Sequence, residues 1–423
     1  MTRRAVLGLL FAPLCTPVLS VPSLTQTHSS QPVTVGAEVL AASGFAALAG
    51  KRVGLITNQT GRIGTEHLAD LLSRAANLKL AAIFAPEHGL RGQAEAGAAV
   101  RGGLDANTGV AIHSLYGATR KPTPAMLREV DVLVFDIQDV GVRFYTYIST
   151  MGLAMQAAAA ARIPFLVLDR PNPLGGLYVC GFVLEPPLRS FVGEYPIPIV
   201  HGLTVGELAR MIRGEKWLGG LDALELDVVA MQGWQRSMRW PATGRAWVAT
   251  SPNIPSFEAA LVYPGMGLVG ETDVNEGRGT PTPFSVFGAS WIDGPRLVRS
   301  LNALGLPGVT FRAEAFTPRS IPGVAAHPRF VGVALSGVRI AVADVEKIEP
   351  LEIGVHVLAG IAAEARARGV APLFPNLKMF HAVAGTRRLG DMLLAGSDGG
   401  SIIRAWQSEV AAFKGRRARY LLY

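Results

Sequence analysis

The sequence predicts an α/β protein: a Rossmann-like, mostly parallel sheet with helices on both faces, followed by a smaller C-terminal α+β domain. Three observations predict it. Short, nearly continuous apolar runs at 53–57, 78–84, 131–136 and 165–169 alternate with helical stripes, the pattern of strands covered on both faces. Asn58, Glu87, Asp136 and Asp169 each follow the end of a different run, and right-handed crossovers would carry all four to one sheet edge. A chain of 423 residues with 49% hydrophobic and 17% charged residues can bury a large core and is not a disordered protein.

Taken in order, the chain opens on Arg3 and Arg4, an apolar stretch at 5–14 and a small-residue end at Val18-Leu19-Ser20. That reads as a signal peptide over residues 1–20. Thr2-Arg3-Arg4-Ala5-Val6-Leu7 also resembles a twin-arginine export signal, so an exported, periplasmic or secreted protein is expected. Removing the signal takes away Cys15 and leaves Cys180 alone, which reads as a small buried hydrophobe with no disulfide partner. No membrane span is expected after signal removal. Residues 21–50 read as a leader or linker, since 21–35 is rich in Ser, Thr, Gln and Pro.

Residues 51–233 carry the Rossmann-like alternation, with further strands at 110–115 and 224–230 and helices at 68–75, 124–130, 145–161 and 204–213. In the last of these Thr204 and Glu207 form a capping-box signature. Residues 234–283, dense in Pro, Gly and Trp, read as a loop-rich cleft segment. Residues 284–423 read as the auxiliary α+β domain, with a strand at 330–343 and helices at 351–368 and 401–413.

Several chemistries are disfavoured. Gly61 and Gly64 lack the G-x-G-x-x-G spacing after the first strand, so no dinucleotide cofactor is expected. The histidines form no H-E-x-x-H pair and no G-x-S-x-G elbow is present, so neither a metal nor an activated serine is expected. Net charge is +8 without a Lys/Arg block that would track a phosphate backbone, which argues against nucleic acid and is compatible with a polyanionic cell-wall substrate.

What remains is an abundance of loop carboxylates and amides, which suits glycoside hydrolysis: a proton donor, a second polar group and many hydroxyl partners. Glu87 follows Phe84-Ala85-Pro86, and apolar surroundings raise a carboxyl towards the range of a general acid. The plainer alternatives are that Glu87 caps a helix or pairs with Arg91. Asp136 and Asp139 are further candidates, although Asp139 could simply hold its loop against Arg143. Arg170 and Arg278 are either loop salt bridges or anion forks. Tyr145, at a helix start, serves either the core or a sugar face; His201, before a helix, is either structural or a sugar partner.

The strings Leu55-Ile56-Thr57-Asn58-Gln59-Thr60-Gly61, Phe84-Ala85-Pro86-Glu87-His88-Gly89, Asp136-Ile137-Gln138-Asp139-Val140-Gly141-Val142-Arg143, Asp169-Arg170-Pro171-Asn172-Pro173, His201-Gly202-Leu203-Thr204, Ser251-Pro252-Asn253-Ile254-Pro255 and Asn275-Glu276-Gly277-Arg278-Gly279-Thr280 together resemble the NamZ-type exo-β-N-acetylmuramidases, a family of glycoside hydrolases. The resemblance runs in order from about Val53 to the terminal Tyr420-Leu421-Leu422-Tyr423. It implies release of β-1,4-linked N-acetylmuramic acid from the non-reducing ends of peptidoglycan fragments, a cleft between a Rossmann-like and an auxiliary domain, and no cofactor. Glu87 matches the family's catalytic glutamate. Asp136 and Glu276 become candidates for the second catalytic group. Asn58, His88, Gln138, Asp139, Arg143, Tyr145, Asp169, Arg170, Asn172, His201, Asn253 and Arg278 become candidates for substrate binding. Gly270-Glu271-Thr272-Asp273-Val274-Asn275 departs from the family's usual Glu-Gly-Thr-Asn-Leu-Ser.

N-acetylmuramic acid differs from N-acetylglucosamine by a lactyl carboxylate, so selectivity calls for a cation, and Arg143, Arg170 or Arg278 is expected to supply it. A non-catalytic periplasmic muropeptide-binding protein is the alternative reading. A muropeptide esterase or amidase is weaker, for want of an activated nucleophile.

Overall fold

The computed structural model describes residues 32–100 and 102–423 together with Met1; the expected signal peptide and residues 21–31 lie outside the described residues. Strand β1 (Arg52–Thr57) is followed by a short hairpin of β2 (Arg62–Ile63) and β3 (Glu66–His67), then β4 (Lys79–Ala85), β5 (Gly103–Leu104), β6 (Ala111–Ser114), β7 (Val132–Asp136), β8 (Phe165–Leu168) and β9 (Leu226–Val229). Apart from the hairpin these form one sheet in the order β5-β6-β4-β1-β7-β8-β9, parallel throughout except for the antiparallel edge strand β5. The chain builds outward on one side of β1, then crosses to build on the other. Loops leaving β1 and β7 therefore diverge, which opens a crevice at the carboxyl edge.

Side-chain alternation explains why this sheet is covered twice. Val132, Val134, Leu166 and Leu168 face one core, shared with the helix Leu68–Arg74. Leu133, Phe135, Phe165 and Val167 face the other, shared with the helices Tyr147–Ala161 and Val205–Gly214. The expected capping box is formed: Thr204 Oγ1 accepts from the Glu207 N–H (3.2 Å) and Glu207 accepts from the Thr204 N–H (3.0 Å).

A second sheet of β10 (Val286–Ala289), β11 (Val309–Phe316) and β12 (Leu335–Val342) is antiparallel in the order β10-β12-β11. Phe287, Phe311, Val338 and Ile340 on its inner face join the same core as the helical face of the first sheet.

Four expectations are corrected. Residues 33–50 are folded rather than a leader: Val33, Val35 and Leu40 are buried, and the helix Gly36–Ala42 packs so closely on the sheet that a Cβ on Gly36 would meet the backbone of Val229 and Asp169. The segment 234–283 contains the helix Phe257–Val269, with Pro264 inside it. The Pro264-Gly265 pair reads as a turn locally, but Gly265 is where this helix touches the helix Pro350–Arg368; a Cβ built there would lie 2.5 Å from the Gly354 Cα. The strand expected from residue 330 begins at Leu335, because Phe330 and Gly332 adopt positive φ. The helix expected at 401–413 is two, Gly399–Ala405 and Gln407–Arg417, divided at Trp406, whose buried indole packs edge-on against Phe182.

Because Gly265 and Gly354 meet backbone to backbone, neither neighbour can yield to an added methyl group. Gly354→Ala is expected to cost about 1–3 kcal/mol, outweighing the roughly 1 kcal/mol that alanine contributes through helix propensity. Urea unfolding measures this as a lowered midpoint; an unchanged or raised midpoint would show that the helices can part.

Candidate active site

The strand-end turn after β4 sets the position of Glu87. Gly89 N–H donates to Pro86 O (3.0 Å), closing a turn in which His88 takes φ 70° and Gly89 φ 77°. Glu87 sits at the corner of that turn and opens onto a cavity of about 750 Å³. Its two oxygens are both engaged: Thr146 Oγ1 donates to Oε2 (2.6 Å) and the Gly97 N–H donates to Oε1 (3.0 Å). Arg91 does not quench it. Its guanidinium donates to Asp105 (2.8 Å) and lies 3.5 Å from Asp70.

Three parts of the chain make the cavity wall. The parallel sheet contributes Glu87, His88, Tyr116, Tyr145 and Thr146; the segment beyond it contributes Asn253, Tyr263, Glu271, Arg278 and Phe284; the helix Leu377–Ala384 and its N-cap contribute Asn376, Lys378, Met379, Ala382 and Val383. Arg120 lies at the rim against Phe191, 4.6 Å from the ring centroid. The wall therefore offers two carboxyls, three cations and several aromatic faces, a composition suited to a polar, anionic ring system.

His88 Nδ1 lies 2.7 Å from Ala94 O, and since a carbonyl only accepts, Nδ1 carries the proton and Nε2 keeps its lone pair. Burial pushes this imidazole below its usual value against the pull of Glu87, so it is neutral. Tyr145 is partly core and partly wall: its hydroxyl donates to Thr250 Oγ1 (2.9 Å), while Tyr147 donates to Thr250 O (2.6 Å). Asn253 Nδ2 donates to Val324 O (2.6 Å) and its Oδ1 has no protein partner. Arg278 pairs with Glu276 and lies over Phe284, 5.3 Å from the ring centroid.

The other expected site residues form a collar behind the wall. Asp136 is fully buried and accepts from Arg170 through both oxygens (2.6 and 2.9 Å), so each is occupied by the other. Asp169 accepts from the Gly206 N–H, Thr204 Oγ1 and the Tyr423 hydroxyl (2.8, 2.7 and 2.8 Å); burial still pushes its carboxyl up to about 6. Asn58 Oδ1 accepts from the Thr60 N–H (2.9 Å), Gln138 braces Pro171 O (2.7 Å), and Asn172 spans Leu203 O and the Leu174 N–H. His201 is buried beside the helix N-terminus, accepts from the Leu203 N–H (3.2 Å) and is pushed down to about 3 by burial.

Arg143 does not pair with Asp139. Its guanidinium donates to four carbonyls, Phe182 and Ile197 (2.7 and 2.8 Å) and Val383 and Ala384 (3.2 and 2.6 Å), fastening the C-terminal helices behind the cavity. Of the three arginines expected to meet a substrate carboxylate, Arg278 alone lines the cavity. Tyr116, Thr146, Tyr263 and Phe284 also line the cavity, although no motif in the sequence marks them as site residues. Glu271, a loop carboxylate to which the sequence assigns no role, lines it as well.

The architecture and this cleft define a two-sheet α/β protein with an acid-bearing, aromatic-walled cavity at a strand-carboxyl edge. Residues 53–258 match the family described as "Exo-beta-N-acetylmuramidase NamZ, N-terminal" and residues 261–423 its C-terminal counterpart. The chain belongs to this family. It is 41% identical over 422 residues to the peptidoglycan beta-N-acetylmuramidase NamZ of Bacillus subtilis (strain 168), covering 98% of this chain and 97% of that protein. Two crystal structures of DUF1343 family proteins from Bacteroides fragilis superpose with TM-scores of 0.85 and 0.75, at 39% and 35% identity, each covering 93% of this chain and 99% of the other.

Asp139 provides a test of the collar. Its Oδ1 accepts from the Gly141 N–H (2.7 Å), its Oδ2 has no partner, and burial pushes the carboxyl from 3.8 to about 7. Between these values the folded chain holds a proton that the unfolded chain has lost, so stability falls as pH rises through the window. Asp139→Asn keeps the Gly141 acceptor and does not titrate. Relative to the parent it should gain up to about 1.4 kcal/mol per pH unit between pH 4 and 7, read by urea unfolding at several pH values; a pH-independent difference would refute the buried, proton-holding carboxyl.

Proposed function

We propose that this chain is an exo-acting glycoside hydrolase that releases β-1,4-linked N-acetylmuramic acid from the non-reducing ends of peptidoglycan fragments, with Glu87 as general acid/base. The observation that carries this reading is the cavity itself. Among the described residues its lining holds two carboxyls, Glu87 and Glu271, with Arg278 and the faces of Tyr116, Tyr145, Tyr263 and Phe284 around them. The activity named for the Bacillus subtilis relative supports the same substrate class.

Hydrolysis needs a proton delivered to the glycosidic oxygen and a water activated at the anomeric carbon. The position of Glu87 on the cavity wall after the β4 turn, with Thr146 against it, supports the proton work for this residue. Aromatic faces accommodate the apolar sides of the sugar rings, and Asn253 Oδ1 is free to accept from a hydroxyl or acetamido N–H. Arg278, held by Glu276, presents the rest of its planar guanidinium to the lactyl carboxylate. Glu276 thereby acts through Arg278, and the Asp136 and Arg170 pair supports the strand ends beneath. We further propose that the enzyme works after export, as the charged start and apolar stretch at residues 3–14 suggest; N-terminal sequencing of the mature protein checks this.

Glu87→Gln should fold normally and lose about 10²- to 10⁴-fold in kcat/KM on a chromogenic β-N-acetylmuramide. Undiminished release by the variant, or none by the parent, would sink the reading. Arg278→Lys keeps a cation for Glu276 while removing the planar fork. It should lower the preference for muramide over the matching glucosaminide by roughly ten- to a hundredfold, mainly through KM; an unchanged ratio would place lactyl recognition elsewhere.

A further inference from the structure

We infer that Glu271 is the second catalytic carboxyl, carrying the proton to the leaving oxygen, which narrows the acid/base role of Glu87 to its base half; the assignment rests on the hydrolase reading above. Three observations lead to it.

The carboxyls expected to partner Glu87 are already taken. Asp136 is closed by the Arg170 fork and Glu276 by Arg278, and neither lines the cavity. Glu271 does line it, half-buried, with no protein hydrogen bond to its carboxyl among the described residues.

The two lining carboxyls also stand in opposite surroundings. Glu87 receives donors at both oxygens, from Thr146 and Gly97. Glu271 receives none and is partly withdrawn from water. Burial raises its carboxyl above the ordinary value, opposed by Arg278 and reinforced by the charge of Glu276. Two carboxyls in such different surroundings, one held by donors and one without any, are suited to different roles in one reaction.

The step balances as a single displacement. The Glu271 proton passes to the glycosidic oxygen as the C1–O bond breaks and its electron pair goes to that oxygen. Water forms the new C1–O bond and yields its proton to Glu87. Glu271 ends ionised and Glu87 protonated, and exchange with solvent restores both. Attack by water opposite the leaving group inverts the anomeric centre.

The experiment compares two substrates: a β-N-acetylmuramide with an activated aryl leaving group, and the disaccharide N-acetylmuramyl-β-1,4-N-acetylglucosamine. An activated leaving group departs without protonation, so it spares the acid and not the base. Glu271→Gln should fall by more than about a hundredfold on the disaccharide but by less than about tenfold on the aryl substrate. Its alkaline limb should flatten, and proton NMR of the parent reaction should show the α-anomer first. Glu87→Gln should fall on both substrates alike. Retained aryl activity shows that the Glu271 variant is folded, and near-UV circular dichroism gives the same control independently. A folded Glu271→Gln enzyme with an equal fall on both substrates, or no fall on the disaccharide, overturns the assignment, as does the β-anomer as first product. A parent that cleaves neither substrate removes the hydrolase reading itself, and is thus distinguished from failure of this assignment alone.

Discussion

The fork between Asp136 and Arg170 is the interaction on which the carboxyl edge of the sheet depends. Asp136 ends β7 at zero exposure, where an unpaired carboxylate would cost several kcal/mol. Arg170 follows β8 and meets both of its oxygens through Nε and Nη2, and the same Nη2 also donates to Arg62 O (3.2 Å) beyond β1. Three strand ends are thereby joined. Since removing one member strands the other in low dielectric, the pair specifies this arrangement more than it stabilises the fold.

On that base the chemistry is separated from the scaffolding by access to the cavity rather than by hydrogen bonding, since Glu87 has both oxygens engaged just as Asp136 does. Asp136 and Asp169 are met by internal donors and the two terminal nitrogens of Arg143 by four carbonyls, and none of the three lines the cavity. Glu87 belongs to the same edge but emerges from a turn whose corner faces the cavity. Arg143 has a second part in this: the carbonyls of Val383 and Ala384 bind it from behind while Val383 itself forms wall. The cavity's third side is thus fastened to the first sheet's core through a single buried cation.

The parallel layout was legible because its strands are short apolar runs ending in polar residues, and a two-faced sheet imposes that pattern directly. Position at the edge was legible for the same reason. Which edge residues open to a ligand was not, because Asp136 and Glu87 look alike in sequence and differ only in whether an arginine 34 residues away or a cavity lies opposite. Pro264-Gly265 misled for a complementary reason: turn chemistry is local, whereas the contact with Gly354 that makes Gly265 useful is not. Strand β11 escaped notice although Val309-Thr310-Phe311-Arg312 alternates in the manner of a half-buried strand. Residues such as Tyr116 and Phe284 carry no local signal and become wall only once three distant segments converge.

The bond from the Tyr423 hydroxyl to Asp169 has a bearing on the order in which the molecule is made. It joins the end of β8 to a residue 254 positions downstream, and the same hydroxyl accepts from the Met231 N–H. A ribosome therefore presents the parallel sheet with nearly all its strands long before that donor emerges. During this interval a buried carboxyl lacks one of its partners and the sheet's far edge lacks its clasp. Final closure thus waits for a contact of long sequence separation, a step of the slow kind, and it leaves the nascent chain open for longer than its local strand pattern would suggest.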